Sequence, residues 1–340
     1  LILGFGRPRG RGGHRKCLCG SHASRSGAVL PLQSNLWNAI NSHCSAESGF
    51  KPHSTVPRIY AMTFFQMVAS AEERNNSHLC IGLDPKLSQV PQHIQYNQNA
   101  LFDFCTAIVD ATKDLASCYK PQIAYFAAED ACDVLKSLIG YIHETTEIPV
   151  VLDAKRGDID STTERYAAEA FEVYKADAVT ANPYLGIDGI APFTQYENKG
   201  VFVLCKTSNA SAPQLQDCVL QNGRRLYEHV AELAATEWNG AGNVGLVVGA
   251  TMPEEALAVR EIVGQMPLLI PGVGAQGGSL ERIIAAAAGG GILINSARAI
   301  NYAGSGEDFA HRARSSAKAL RDDINEMARQ KNKQVFVSYS

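Results

Sequence analysis

The densest run of chemistry-bearing residues is Asp153-Ala154-Lys155-Arg156-Gly157-Asp158-Ile159-Asp160-Ser161-Thr162. Asp153, Lys155, Arg156 and Asp158 place four formal charges within six residues, directly behind the apolar run Val150-Val151-Leu152. At i and i+2 on a strand, Asp153 and Lys155 would share one face. Carboxylates flanking an ammonium hold Lys155 protonated, the state a proton donor needs. Asp158 follows in the loop, within reach of this site or of a neighbouring subunit. The bland alternative for the segment is a solvated network of ions on a loop.

A second constellation suits an anion. Pro271-Gly272-Val273-Gly274-Ala275-Gln276-Gly277-Gly278 is followed, after one more apolar run, by Asn295-Ser296-Ala297-Arg298. Glycines let backbone N–H groups approach a phosphate, and Arg298 adds a planar, permanently charged fork. The alternative is a pair of turns. Three further polar groups end or interrupt apolar runs: Asp84 after Gly82-Leu83, Lys120 between Tyr119 and Pro121, and Lys206-Thr207-Ser208-Asn209. A carboxylate such as Asp84 suits sugar hydroxyls, and an inward lysine such as Lys120 needs an acidic partner. Each alone reads as a cap or loop residue; their convergence on one rim would make a site.

The elements that would build such a rim are legible in the chain. Short apolar runs at 79–83, 117–122, 148–152, 177–181, 200–205, 243–248, 267–270 and 290–294 read as eight strands. Segments of helical composition lie between most of them, at 98–113, 125–144, 160–175, 222–238, 253–264 and 278–288, with a last helix near 307–329. Unbroken apolar runs suit strands buried on both faces, as in parallel sheets. Eight such units predict a closed (β/α)8 TIM barrel, with an open doubly wound sheet as the alternative. In a barrel the chemistry sits at the C-terminal ends of the strands, where all the polar groups above fall.

Asp153-x-Lys155-x-x-Asp158-Ile159 resembles the signature of the orotidine 5′-phosphate decarboxylase family. The fuller run from Leu152 to Ile159, with Lys206-Thr207-Ser208-Asn209 and Asn182-Pro183-Tyr184, is similar to the longer-chain bacterial branch of that family. The resemblance spans about residues 62–330. It implies decarboxylation of orotidine 5′-monophosphate to uridine 5′-monophosphate and carbon dioxide, the last step of de novo pyrimidine nucleotide synthesis. By the same resemblance, Lys155 would protonate C6, Asp153 would lie beside the substrate carboxylate, and Lys120 would bridge Asp153 to the ribose. Asp84 would bind ribose hydroxyls, Ser208 the pyrimidine, and Gln276 and Arg298 the phosphate, with Gly274 and Ser296 on the phosphate side. Asp158 and Thr162, with Ile159 between them, would reach the partner's site in a homodimer. No metal or organic cofactor is implied. The nearest rival is a magnesium-dependent lyase or aldolase acting on a sugar phosphate. An adhesion role for the Arg156-Gly157-Asp158 tripeptide is the remoter one.

The composition fits a globular enzyme: 46% of the 340 residues are hydrophobic and 19% charged, which excludes collagen-like and wholly disordered chains. The net charge of −3 conceals a divided chain. Residues 1–61 carry eight Lys/Arg against Glu47 alone, a net +7, and the remainder carries −10. This basic segment, rich in Gly, Ser and Pro, is expected to be disordered. It reads as upstream sequence translated ahead of Met62, as a transit peptide, or as an RNA-binding arm around Gly4–Gly13; the first is preferred and a nucleic-acid partner is not expected. Residues 62–330 would be the barrel and 331–340 a tail. Cys17-x-Cys19 with His14 and His22 lacks a second Cys pair at zinc-ribbon spacing. Nine cysteines without pairing rhythm point to a reducing, cytoplasmic compartment, and no apolar run reaches the roughly 20 residues that span a bilayer.

Overall fold

Eight strands make one parallel sheet: β1 (Leu79–Leu83), β2 (Cys118–Pro121), β3 (Val151–Arg156), β4 (Ala178–Ala181), β5 (Gly200–Lys206), β6 (Val244–Val248), β7 (Leu268–Pro271) and β8 (Ile292–Ser296). They appear in a computed structural model that describes residues 62–273 and 280–337. The basic segment 1–61, with its Cys17-x-Cys19 motif, and the loop holding Gly274 and Gln276 lie outside the described residues. The strand order is β2-β1-β8-β7-β6-β5-β4-β3. Bridges Tyr119–Val150 and Gln122–Asp153 join the two ends, β2 to β3, so the sheet closes into the expected barrel rather than staying open.

Parallel neighbours need crossovers, and helices supply most of them. They are α2 (Ala100–Thr112), α3 (Cys132–Thr145), α4 (Asp160–Ala168), α5 (Leu226–Leu233), α6 (Pro253–Val263), α7 (Leu280–Ala287) and α8 (Phe309–Val337), which runs past the expected 329. Two expected helices are corrected. The stretch 125–144 breaks into Ile123–Ala127 and α3, with Asp130 left-handed (φ 51°) at the corner. The stretch 222–238 begins only at Leu226, because Val219 and Arg225 pair across a small hairpin first.

One helix was not signalled by strand counting: α1 (Phe64–Asn75), which precedes β1. Thr63 and Gln66 form a reciprocal capping box at its start. Phe64 and Phe65 meet Phe202 edge-on, both at 5.8 Å between centroids, and plug the N-terminal end of the barrel. Gly200 leaves the space that the Phe64 ring fills. Above this plug one inward residue from each strand completes a buried apolar layer: Cys80, Cys118, Val151, Ala178, Phe202, Val247, Leu269 and Leu293. That layer is the floor beneath the mouth.

Candidate active site

Side chains on a strand repeat every second residue, so the next inward layer lies two residues above each floor residue. It reads Gly82, Lys120, Asp153, Thr180, Leu204, Gly249, Pro271 and Asn295, and here the interior turns polar. Lys120, Asp153 and Thr180 from adjacent strands line one wall of a cavity of about 200 Å³, together with Lys155. Thr207, Ser208 and Asn209 line the opposite wall over Val247 and Leu269.

Asp153 is the hub. Lys120 Nζ donates to its Oδ2 at 2.7 Å, and Lys155 Nζ donates to its Oδ1 at 2.6 Å. Thr180 Oγ1 donates to the same Oδ1 at 2.9 Å. Burial alone would raise the Asp153 carboxyl; the charges of Lys120 and Lys155 and their hydrogen bonds outweigh it and hold the group well below the usual carboxylate range. Lys120 is fully enclosed, which opposes its charge, yet Asp153 and Asp84 keep it firmly an ammonium. Lys155 is different: its side chain is 46% exposed, and only one of its three N–H donors goes to Asp153. Lys155 itself lines the cavity, and its other two N–H donors have no partner among the described residues.

The strand is irregular where it carries these groups. β3 extends to Arg156, beyond the expected end at 152, so Asp153 and Lys155 belong to the strand itself. Leu152 pairs with Val179 but Arg156 pairs with Ala181, a bulge that gives β3 two extra residues. Within it Lys155 sits at φ 47°, a left-handed conformation that costs a non-glycine residue about 1–2 kcal/mol. Arg156 turns out to the helix layer, donates through Nε and Nη2 to Glu169 at 3.0 Å each, and stacks 4.9 Å from the Tyr166 ring. The Arg-Gly-Asp tripeptide therefore has its arginine engaged by its own barrel.

β5 bulges as well. Leu204 pairs with Val247 and Lys206 with Val248, which turns Lys206 away from the mouth. Its side chain is 1% exposed, and its ammonium is paired with Asp217 and lies 5.2 Å from the Tyr227 ring centroid. Lys206 thus anchors the loop behind Ser208, and the donors facing the cavity are Thr207, Ser208 and Asn209. A Cβ on Gly249 would lie 2.8 Å from that of Ser208, so the glycine permits the loop to settle there.

Asp84 stands at the end of β1, its Oδ1 buried without a hydrogen-bond partner among the described residues. Burial raises its carboxyl, and Lys120 opposes that. Tyr302 holds the local backbone: its hydroxyl donates to Asp84 O at 2.9 Å and accepts from Lys86 N at 2.8 Å. Arg298 is exposed just after β8, at the first position of the turn Arg298–Asn301, while Ser296 is buried with its Oγ unpaired among the described residues. Asp158, Ile159 and Thr162 do not line the cavity; Asp158 Oδ1 accepts from the adjacent Ile159 N at 2.8 Å.

The charged residues announced themselves by type. Thr180 and Tyr302 did not. A threonine inside the apolar run 177–181 was the available signal for the first, but its inward phase is invisible when both strand faces are apolar.

Comparisons with known proteins identify the family of the barrel. The model of the orotidine 5′-phosphate decarboxylase / HUMPS family matches residues 77–313. Orotidine 5′-phosphate decarboxylase of Azoarcus sp. (strain BH72) is 54% identical over 268 residues, 78% of this chain and 99% of that protein. The enzyme of the same name from Ralstonia nicotianae is 55% identical over 269 residues, again 78% and 99%. Among solved structures, Leishmania donovani OMP decarboxylase is 38% identical with a TM-score of 0.67, covering 78% of this chain and 99% of that one. Leishmania donovani UMP synthase is 39% identical with a TM-score of 0.69; 79% of this chain is covered but only 57% of that one. Over the barrel that carries Lys120, Asp153 and Lys155, the chain belongs to the orotidine 5′-phosphate decarboxylase family.

Proposed function

We propose that this barrel decarboxylates orotidine 5′-monophosphate to uridine 5′-monophosphate, with Lys155 as the proton donor to C6. The observation that carries the reading is the Lys120–Asp153–Lys155 array lining one cavity, in which Lys155 has two N–H donors without a partner among the described residues. When the bond from C6 to the carboxylate carbon breaks, its electron pair stays on C6 and carbon dioxide departs. No adjacent carbonyl delocalises that pair simply, so a fixed ammonium aimed at C6 stabilises it electrostatically. The pair then takes a proton from Lys155 Nζ, which solvent restores.

Asp153 holds the Lys155 side chain by a hydrogen bond, and its own negative charge stands beside the departing carboxylate. Asp84 takes the ribose hydroxyls, Ser208 the base, and Arg298 with the Gln276 loop the phosphate. The second half of the reading is a homodimer. Ile159 (49% exposed), Tyr184 (75%), Leu185 (42%) and Ile187 (43%) are exposed apolar side chains on the segments after β3 and β4, the first of which also bears Asp158 and Thr162. The loops after β3 and β4 that bear them are in contact, since a Cβ on Gly157 would lie 3.0 Å from Asn182 O. A two-fold contact there would bring Asp158 and Thr162 to the partner's cavity. A reducing, cytoplasmic setting is part of the proposal; the six described cysteines are free, and no described helix is long and apolar enough to cross a membrane.

The test is loss of orotidine 5′-monophosphate absorbance with the full chain, in chelator, beside Lys155→Ala. Turnover that survives chelator and vanishes in the variant is expected. A folded protein without turnover, or turnover abolished by chelator, would overturn the reading in favour of a metal-dependent lyase. Sedimentation of a monomer at assay concentration would sink the shared site.

A further inference from the structure

A hydroxyl has one proton to donate and two lone pairs with which to accept. In Thr180, 2% exposed on β4, all three are committed within one bulge. Its oxygen accepts from Ala154 N at 3.0 Å and from Lys155 N at 2.9 Å. One direction remains for its proton, and Asp153 Oδ1 lies there at 2.9 Å. The same Oδ1 accepts from Lys155 Nζ at 2.6 Å. Thr180 therefore grips Lys155 at both ends: directly at the backbone, and through Asp153 at the ammonium. With no hydrogen-bonding capacity left over, its hydroxyl is not a substrate contact.

The bulge explains why a side chain is needed. From Leu152 to Arg156 the strand advances four residues while β4 advances two, from Val179 to Ala181. The N–H groups of Ala154 and Lys155 turn to Thr180 Oγ1, which lies on β4 midway between those two registers. Lys155 is held at φ 47°, and the surrounding bonds must over-determine such a conformation for it to persist.

We propose that Thr180 is a positioning residue of the decarboxylation, whose hydroxyl locks the left-handed backbone of Lys155 and turns Asp153 Oδ1 toward its ammonium. The inference rests on the decarboxylase reading above. Valine at 180 keeps the shape and removes the hydroxyl; serine keeps the hydroxyl and removes a methyl group.

The experiment is steady-state turnover of orotidine 5′-monophosphate by the full chain and by Thr180→Val and Thr180→Ser. Thr180→Val should lose about 100-fold in kcat, the scale of a misplacement near 1 Å, with KM changed by less than about threefold. Thr180→Ser should stay within about threefold of the parent in both constants. An unchanged kcat in Thr180→Val overturns the proposal, and so does an equal loss in both variants, which would make the methyl packing responsible. Should the valine variant fail to fold, Thr180→Cys carries the test. Its weak thiol donor should lower kcat by about tenfold or more, and undiminished kcat would overturn the lock. A crystal structure of whichever impaired variant folds should show Lys155 released from positive φ; retention of that angle with its ammonium unmoved counts against the proposal. An inactive parent chain would instead overturn the decarboxylase reading, and this inference with it.

Discussion

Two buried aspartates, one on β3 and one just before β4, each hold two basic side chains, at opposite ends of the barrel. Asp153 at the C-terminal mouth binds Lys120 and Lys155. Asp177, just before β4 at the N-terminal end, binds His143 Nε2 at 2.8 Å and Lys199 Nζ at 3.2 Å. Both carboxylates are 7% exposed, and both are held below the usual range by partners that outweigh burial. What separates them is where the bonds end. Asp177 spends Oδ2 on Val150 N as well, at 3.0 Å, so that network closes onto the backbone joining β3 and β4. Asp153 instead supports Lys155, which lines a cavity and has N–H donors without a partner among the described residues. A charge cluster becomes a site through geometry that leaves something uncommitted, and composition alone does not distinguish the two.

Substitutions at matched positions would break or sharpen this contrast. The largest effect is expected from Lys155→Ala, which should lower kcat by about 10,000-fold or more while Tm moves by no more than about 2 °C, because the lost side chain is half exposed. Its counterpart Lys199→Ala should leave kcat within about twofold; a large activity loss there would erase the distinction.

Asp153→Asn comes next. It leaves the Lys120 ammonium enclosed without its partner charge and should cost about 3–5 kcal/mol in urea unfolding, along with turnover. Asp177→Asn should cost less, about 1.5–3 kcal/mol, since the His143 side chain is partly open to solvent and Val150 N keeps an acceptor, and the folded variant should remain active.

The pH dependence of stability follows from the same two groups. Their folded-state pKa values are depressed, so the stability they add is present above the ordinary carboxylate range, near about pH 4, and fades as pH falls through it toward the folded values. Asp84 is shifted the other way and opposes them: its protonated form is favoured, and it costs stability once ionised. Tm scans between about pH 3 and 7 should therefore fall on the acid side, and Asp177→Asn should flatten that fall without altering the activity profile.

The smallest effect is expected behind the opposite wall. Asp217→Asn weakens the anchor on Lys206 and should raise KM by about fivefold with kcat nearly unchanged, read by steady-state kinetics. A kcat loss comparable to that of Asp153→Asn would mean that the Ser208 loop takes part in the chemistry rather than in binding.

Much of this molecule was open to reading along the chain. Seven of the eight strands lie within about two residues of their apolar runs, because such runs are local properties; β3 is displaced to 151–156 and takes in the first part of the charged run. The helix α1 was not, since its role as a plug depends on meeting Phe202, which is remote in sequence. Lys206 was grouped with Thr207, Ser208 and Asn209 at the rim, and the bulge in β5 turns it away from them. Asp158, Ile159 and Thr162 sit next to the site in sequence but outside its cavity in the folded chain.

The sequence by itself determined that a (β/α)8 barrel forms and that its strand ends carry acids, lysines and an arginine, since burial of alternating helices and apolar strands leaves few other arrangements. Tertiary structure alone decided which of those groups meet. Closure of β2 onto β3 brings Lys120 to Asp153 across 33 residues, and the bulge in β3 aims Lys155. The physical reason is phase: strands buried on both faces show no alternation to betray which side chains point inward, so only the register of the closed sheet selects them.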